Sequence, residues 1–409
     1  MAVFRRMRGT SPLGIALMPL ALLVGFDTWI NPCAAQSVDP GAYSSTAPVP
    51  FSAQIWGIID TGIRHVGEAS STGALTQFAS GLNTSRIGLR GTEDMGSDLR
   101  ASLNLLSGFS PGTGTQANTA LFDRAATAGL GWKAWDLKLG RMEGFGYEQA
   151  ASGATDPLAM ALNLPNYSSP AAAGSKAPVL GANPLQAVYT YTYGQLRFSN
   201  AVRVSYAGDS WAAGVIYALG GVAGSFDAES VRAAHLGWSG GPARGEAVFQ
   251  QSLDPHGNRS TLDVLAGSWT MDAWKFQAGF HDLLVDAGFN SSALGNGASS
   301  TGILGNSTTV STVLASPTEN FRFEVGDLGV TWKPTPAVPL SIVAYKTHTE
   351  GAGTGNSLAL VALAKWYLNP RTALYLEADQ ANQSGRLAVK PVSTTTVATG
   401  FTAGINVHF

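Results

Sequence analysis

Residues 401–409 read FTAGINVHF, and their alternation decides how the rest of the chain is to be read. Phe401, Ala403, Ile405, Val407 and Phe409 share one parity, while Thr402, Gly404, Asn406 and His408 share the other. A period of two sends successive side chains to opposite faces of a strand, so one face is oily and the other wet. The same pattern runs through QIWGIIDTGIR (54–64), where Ile55, Gly57, Ile59, Thr61 and Ile63 oppose Gln54, Trp56, Ile58, Asp60 and Arg64. In LRFSNAVRVSY, Leu196, Phe198, Val202, Val204 and Tyr206 oppose Arg197, Ser199, Ala201, Arg203 and Ser205. LRASLNLL (99–106) and TALYLEAD (372–379) repeat it. What remains is to find the solvent that the oily face meets.

Composition and the amino terminus narrow that choice. Arg5, Arg6 and Arg8, an apolar run from Leu13 to Phe26, and small residues at Cys33 and Ala35 have the form of a secretory signal peptide cleaved after Ala35. A lipid-anchored Cys33 is the rival, disfavoured by Pro32 directly before it. The expected division is therefore a signal peptide at 1–35, a short segment at 36–50, and one β-barrel at 51–409. Cys33 is the only cysteine, so the exported chain would have no disulfide and no cysteine metal site. Less the three arginines and one aspartate of the leader, 22 basic residues face 26 acidic ones, which is no signature of a nucleic-acid partner.

Charged residues make up 13% of the chain, about half the usual share of soluble domains. Glycine stands at 49 residues, and mean hydropathy is only +0.08. Beyond the leader no stretch nears the roughly 18 consecutive apolar residues of a membrane helix. Export, few charges, much glycine and no spanning helix leave the closed antiparallel barrel as the membrane architecture.

Sixteen strands are expected, at roughly 51–64, 82–92, 98–109, 121–130, 134–141, 196–206, 211–219, 230–239, 243–253, 260–270, 273–282, 321–333, 340–348, 357–368, 372–381 and 398–409. Short connections (93–97, 131–134, 207–210, 239–242, 271–273, 334–339, 369–371) alternate with longer ones (65–81, 110–120, 142–195, 220–229, 254–259, 283–320, 349–356, 382–397). An outer-membrane barrel has this plan, with tight periplasmic turns and longer outer loops. An even count puts both ends of the barrel on the periplasmic side, where the last strand closes on the first. Trp211, Tyr217, Trp269, Trp274, Trp332, Tyr345 and Trp366 fall near strand ends, as interface girdles require.

Parity also sorts the charges. Arg86 and Arg90 face the lumen, because Ile87 and Leu89 must face lipid, and Arg197 and Arg203 face inward by the same rule. An arginine on the lipid side would cost about 2–4 kcal/mol at mid-depth. Arg141 falls on the outward parity, at a strand end. The alternative role for any inward arginine is structural, joining wall to loop by hydrogen bonds.

The run NTSRIGLRGTEDMGSDLRASLNLLSGF (83–109) resembles the second hairpin of the general porins of Gram-negative bacteria, the sixteen-stranded trimeric type. IWGIIDTGI, LFDRAATAGL followed by LKLGR, RFSNAVRVSY, YLNPRTALYLEAD and the closing phenylalanine support the likeness, which extends over the whole exported chain. The resemblance implies an outer-membrane homotrimer whose third long loop, here 142–195, folds inward to narrow a water-filled channel. It implies a basic ladder at Arg86, Arg124 and Arg197 opposite loop acids, for which Asp156 and Glu148 are the candidates. Phe409 would be the signal read by the outer-membrane assembly machinery, and lipid bilayer and lipopolysaccharide would be the surroundings. Passive diffusion of small hydrophilic solutes and ions, with a weak anion preference, is the expected function. A channel with a dedicated substrate and a non-conducting surface or adhesion barrel are the alternatives. The third long loop is rich in alanine and proline and poor in acids, and 283–320 carries almost no charge, which departs from the family pattern.

Enzyme chemistry finds no support. The six histidines (His65, His235, His256, His281, His348, His408) are scattered, without HExxH, and there is no phosphate loop. No catalytic residue, metal or cofactor is expected.

Overall fold

The computed structural model describes residues 51–70, 73–79, 81–117, 120–157, 197–290, 318–351, 354–385 and 397–409. The expected leader and the segment 36–50 lie outside these, as do 158–196 of the third long connection. The first part of the wall is β1 (Phe51–Ser70), β2 (Gly73–Ala79), β3 (Arg86–Gly96), β4 (Leu99–Gly108), β5 (Ala125–Trp132) and β6 (Trp135–Glu143). A helix α1 (Phe145–Ser152) follows, then β7 (Arg197–Ala207), β8 (Trp211–Ala218), β9 (Val231–Gly240), β10 (Ala243–Leu253) and β11 (Arg259–Met271). The rest is β12 (Trp274–Val285), β13 (Phe321–Thr335), β14 (Val338–Glu350), β15 (Gly355–Asn369), β16 (Thr372–Gly385) and β17 (Val397–His408).

From β3 to β17 each strand pairs antiparallel with the next. The ring closes where β1 takes β17 on one edge, from Ile58↔His408 to Val66↔Gly400. On its other edge β1 takes β3 from Phe51↔Glu93 to Ile58↔Arg86, and β2 from Gly62↔Ala79 onward. Thus β2 and β3 are two pieces of one second strand, and the wall is a closed sixteen-stranded antiparallel barrel.

The break in the second strand has a local cause. Between Ala79 and Arg86 it has more residues than β1 offers between Gly62 and Ile58, so residues 81–85 leave the ladder. Asp60 gathers them. Its carboxylate accepts N–H bonds from Gly81 (2.7 Å), Leu82 and Asn83 (both 3.1 Å). Tyr375 Oη and Asn406 Nδ2 donate to the same carboxylate, at 2.8 and 2.7 Å. Buried backbone amides must find acceptors, and one carboxylate here serves three of them.

Strands outrun their sequence signal at this point. Residues 65–81 were expected as a connection, yet β1 runs on to Ser70 and β2 covers Gly73–Ala79. Beyond the hydrocarbon both faces meet water, so a ladder can continue after period-two patterning stops. The expected sixteen strands otherwise hold, with boundaries moved by a few residues.

Exposure settles the solvent question. Ile55 (68%) and Ile63 (54%) are open, whereas Asp60 and Arg64, on the other parity, are fully buried. Leu265, Leu328, Ile342, Leu360, Leu376 and Phe401 are likewise exposed on the outer face of their strands. A continuous apolar band outside a closed barrel fits hydrocarbon and not water. Next to the short turns, Trp132, Trp135, Trp211, Trp238, Trp269, Trp274, Trp332 and Trp366 are also exposed, forming a girdle. Within it Trp274 and Trp332 stack at 5.7 Å, and Trp135 lies 5.1 Å from Tyr206.

Two assignments need correction. Tyr345, expected in the girdle, is fully buried on the inner parity of β14. Phe198, expected to face lipid, is fully buried, with its ring beside Gly144 and close to Gln250. Asn200 adopts φ 53° and the β6–β7 register shifts between Gly140 and Met142; this bulge interrupts the alternation at the start of β7, where Phe198 is buried although Arg197 also reaches Glu143.

At the closing seam Phe409 N donates to Gly57 O (3.1 Å) and Gly57 N to Phe409 O (3.0 Å). The Phe409 ring covers Gly57, where a Cβ would stand 2.4 Å from it. That contact explains a glycine on the oily parity of β1.

Candidate functional site: the charged inner wall

The third long connection begins as an eight-residue helix between two glycines. Gly144 holds the N-cap and Gly153 the C-cap, where φ 59° lets its N–H turn back to Ala150 O. Glu148 lies in the first turn, where a carboxylate suits the helix dipole. Phe145, Tyr147 and Ala150 are buried, and Phe145 stacks on His235 of β9 at 5.4 Å. Since His235 lies on a wall strand and Gly214 of β8 also meets Phe145, α1 packs against the barrel wall at β8–β10.

Residues 153–157 then reach another part of the wall. Lys275 Nζ and Gln277 Nε2 of β12 donate to Gly153 O at 2.7 and 3.0 Å. Asp156 Oδ2 stands 2.8 Å from His281 Nε2, also on β12. Tyr345 Oη of β14 donates to Pro157 O at 3.2 Å. All four anchoring side chains lie on inner parities, so this stretch crosses inside the barrel from β6 to β12–β14.

The arginines expected to line a channel divide into groups. Arg86, Arg124 and Arg197 come together around Tyr147 and Glu143. Arg124 Nη2 donates to Tyr147 Oη (2.8 Å) and Glu143 Oε1 (3.0 Å), while Arg197 Nε lies 3.6 Å from the same Glu143 oxygen. Both guanidiniums approach the Tyr147 ring, at 5.9 and 5.5 Å, and Arg86 is within electrostatic reach of Arg124, Tyr147 and Glu143. Arg124 is buried, whereas Arg86 and Arg197 keep part of their surface open. Nearby, Arg141 donates to Asp123 O and Ser199 Oγ, each at 2.7 Å.

Arg203 stands apart. Its Nη1 donates to both oxygens of Glu148, at 2.6 and 2.8 Å, and its guanidinium lies over Phe145 at 4.5 Å. Arg90 is exposed nearer the short-turn end, bonded to Gln54 Oε1 and 5.7 Å from the Trp56 ring. Asp156 is fully buried beside His281.

The acid at the arginine cluster is Glu143, which the sequence reading passed over, together with Tyr147. Both directly follow LKLGR, in MEGFGYEQ, so a charge just past an inward-turning strand end was the available signal. A second missed element is the seam. Arg64 donates from Nη1 and Nη2 to Asp379 (2.7 and 3.0 Å) and from Nη1 to Thr402 (2.9 Å), joining β1, β16 and β17 in a fully buried cluster.

The model of the Gram-negative porin family matches residues 31–386. The chain belongs to that family. It is thus a porin-type barrel of the Gram-negative outer membrane, in a family of channel proteins and not of enzymes. An outer membrane porin protein of Bordetella pertussis is 37% identical over 115 residues, 24% of this chain and 30% of that protein. Outer membrane porin protein 32 of Delftia acidovorans is 36% identical over 101 residues, 24% of this chain and 28% of its own length. These matches span under a third of either relative. Among solved structures, an anion-selective porin from Comamonas acidovorans superposes with a TM-score of 0.62 at 17% identity, covering 88% of this chain and all of that one. A loop-deleted OmpT of Vibrio cholerae gives 0.58 at 11% identity, with 88% and 99% covered. At such identities the likeness concerns the fold.

Proposed function

We propose that this porin forms a water-filled channel for passive diffusion of small hydrophilic solutes and ions, with a weak preference for anions. The observation that carries the preference is the cluster on β3–β7. Arg86, Arg124 and Arg197 gather about the carboxylate of Glu143, with Asp123 beside Arg124, so guanidiniums outnumber acids in this group. An excess of fixed positive charge beside a narrow aqueous path lowers the energy of a passing anion. Arg203 adds little, since Glu148 neutralises it, and the acids of the opposite side keep the preference weak. The anion-selective porin of Comamonas acidovorans, with the same fold, supports this sign.

The same reading takes residues 1–35 as a cleaved leader and 36–50 as a short extension before the barrel. It makes the working unit a homotrimer in lipid and lipopolysaccharide, with Phe409 as the terminal signal for the assembly machinery. Arg86, Arg90, Arg124, Arg197, Arg203, Asp156 and Glu148 belong to the inner charge system, Arg124 and Asp156 as buried struts and the others with surface open to water.

Reconstitution in a planar bilayer under a salt gradient tests the proposal. Conductance in steps of three and a reversal potential of the anion-selective sign are expected. A cation-selective potential would overturn the preference, and absence of any conductance would favour a closed surface barrel.

A further inference from the structure

The far end of the internal crossing meets a cluster that the channel reading does not use. Asp156 Oδ2 lies 2.8 Å from His281 Nε2, and Asp327 Oδ2 of β13 lies 3.4 Å from the same nitrogen. All three residues are buried, and one donor atom from each falls within 4.8 Å of the others. His281 Nε2 is at ion-pair distance from both carboxylates but aligned for a hydrogen bond with neither. Both oxygens of Asp327 are buried without a hydrogen bond of good geometry, the Gly279 N–H and the His281 ring being the polar groups beside them. A buried carboxylate in that state is costly unless something else coordinates it. Gly279 sits opposite Asp327 in the β12–β13 ladder, where a Cβ would stand 2.6 Å from Asp327 Oδ1. The space around that carboxylate exists because position 279 has no side chain.

We propose that Asp156, His281 and Asp327 bind one divalent transition-metal ion of the zinc class, which fastens residues 153–157 to the wall at β12–β13. One imidazole nitrogen with two carboxylate oxygens is a donor set suited to such an ion, whereas calcium seeks six or more oxygens. Donors about 2.0–2.1 Å from a tetrahedral centre stand roughly 3.3 Å apart, so the 2.8 and 3.4 Å spacings to His281 Nε2 need small adjustment, and the two carboxylate oxygens lie within 4.8 Å of each other. A neutral imidazole and two carboxylates leave two negative charges in a buried place, and a divalent cation removes both. The nearby Lys275 ammonium is engaged with Gly153 O. Bonds to Gly153 O and Pro157 O hold the chain on either side of Asp156, so the loop ligand is delivered at a set position. The rival is a latch held by a proton on His281, with no metal.

The folded barrel in detergent, stripped with a chelator, is titrated with Zn²⁺ by calorimetry and with Co²⁺ by visible absorption. One tight Zn²⁺ per chain and an intense tetrahedral Co²⁺ band are expected. His281→Gln and Asp327→Asn should each weaken Zn²⁺ binding at least tenfold, the lower end of what even outer-shell changes cost. His348→Gln, at the part-exposed His348–Glu350 pair, should leave it unchanged. Absent Zn²⁺ binding, unchanged affinity in folded His281→Gln, or loss on His348→Gln overturns the site. Should the His281 and Asp327 variants not fold, the spectrum of the unsubstituted protein decides alone: a weak octahedral band, or none, refutes it.

Discussion

The two sides of the barrel interior hold their charges differently. On β3–β7, Arg86, Arg124 and Arg197 gather about Glu143 and the ring of Tyr147, and Arg86 and Arg197 keep part of their surface open. At the seam of β16, β17 and β1, Arg64 is closed by Asp379 and Thr402, and Asp60 is closed by three amides, Tyr375 and Asn406. Between them, the inner faces of β11–β13 carry buried Leu262, Leu283, Phe321, Phe323 and Val325, which are apolar. Inward parity therefore does not make a residue a channel residue. A charge closed off by buried partners holds the wall together, whereas one that keeps surface open to water projects a field into it.

Breaking the seam should have the largest effect. Arg64→Ala leaves Asp379 buried without its main partner and should cost about 3–5 kcal/mol. The measurement is the denaturant or thermal midpoint of the detergent-folded barrel, with Arg64→Met/Asp379→Leu recovering much of the loss. A neutral Arg64→Ala would erase the contrast between the two sides. On the other side, Arg86→Ala combined with Arg197→Ala should move the reversal potential toward zero or past it. Unfolding should shift less than for Arg64→Ala, because both side chains keep some solvent. If selectivity stays put, the cluster is mortar too. The smallest effect belongs to Arg203→Gln: its partner Glu148 is 38% exposed, so the pair is screened and worth at most about 1 kcal/mol. Salt should reduce even that difference, whereas the Arg64 penalty should persist in high salt.

Much of the fold was legible because lipid outside and water inside impose a strict period. Ile55, Ile59 and Ile63 against Asp60 and Arg64 could be sorted by eye, and the exposures follow that sorting. The signal failed where the constraint lapses. Beyond the hydrocarbon, β1 and β2 continue without alternation, and at Asn200 one left-handed residue turns Phe198 from the expected outer face to the inner one. The charge system was half legible. Arg86, Arg124 and Arg197 do converge, but around Glu143, and Asp156 stands against His281 of β12.

The sequence by itself determined that the chain is an exported, lipid-facing barrel with alternating short and long connections and a porin-like second hairpin. Alternation and turn chemistry are properties of neighbouring residues, so they are written locally. Only the tertiary structure decided which charges compensate one another. Asp379 reaches Arg64 across 315 positions of chain, and Lys275 reaches Gly153 across 122. Such meetings depend on ring closure, strand register and the path of one crossing segment, none of which a run of ten residues contains.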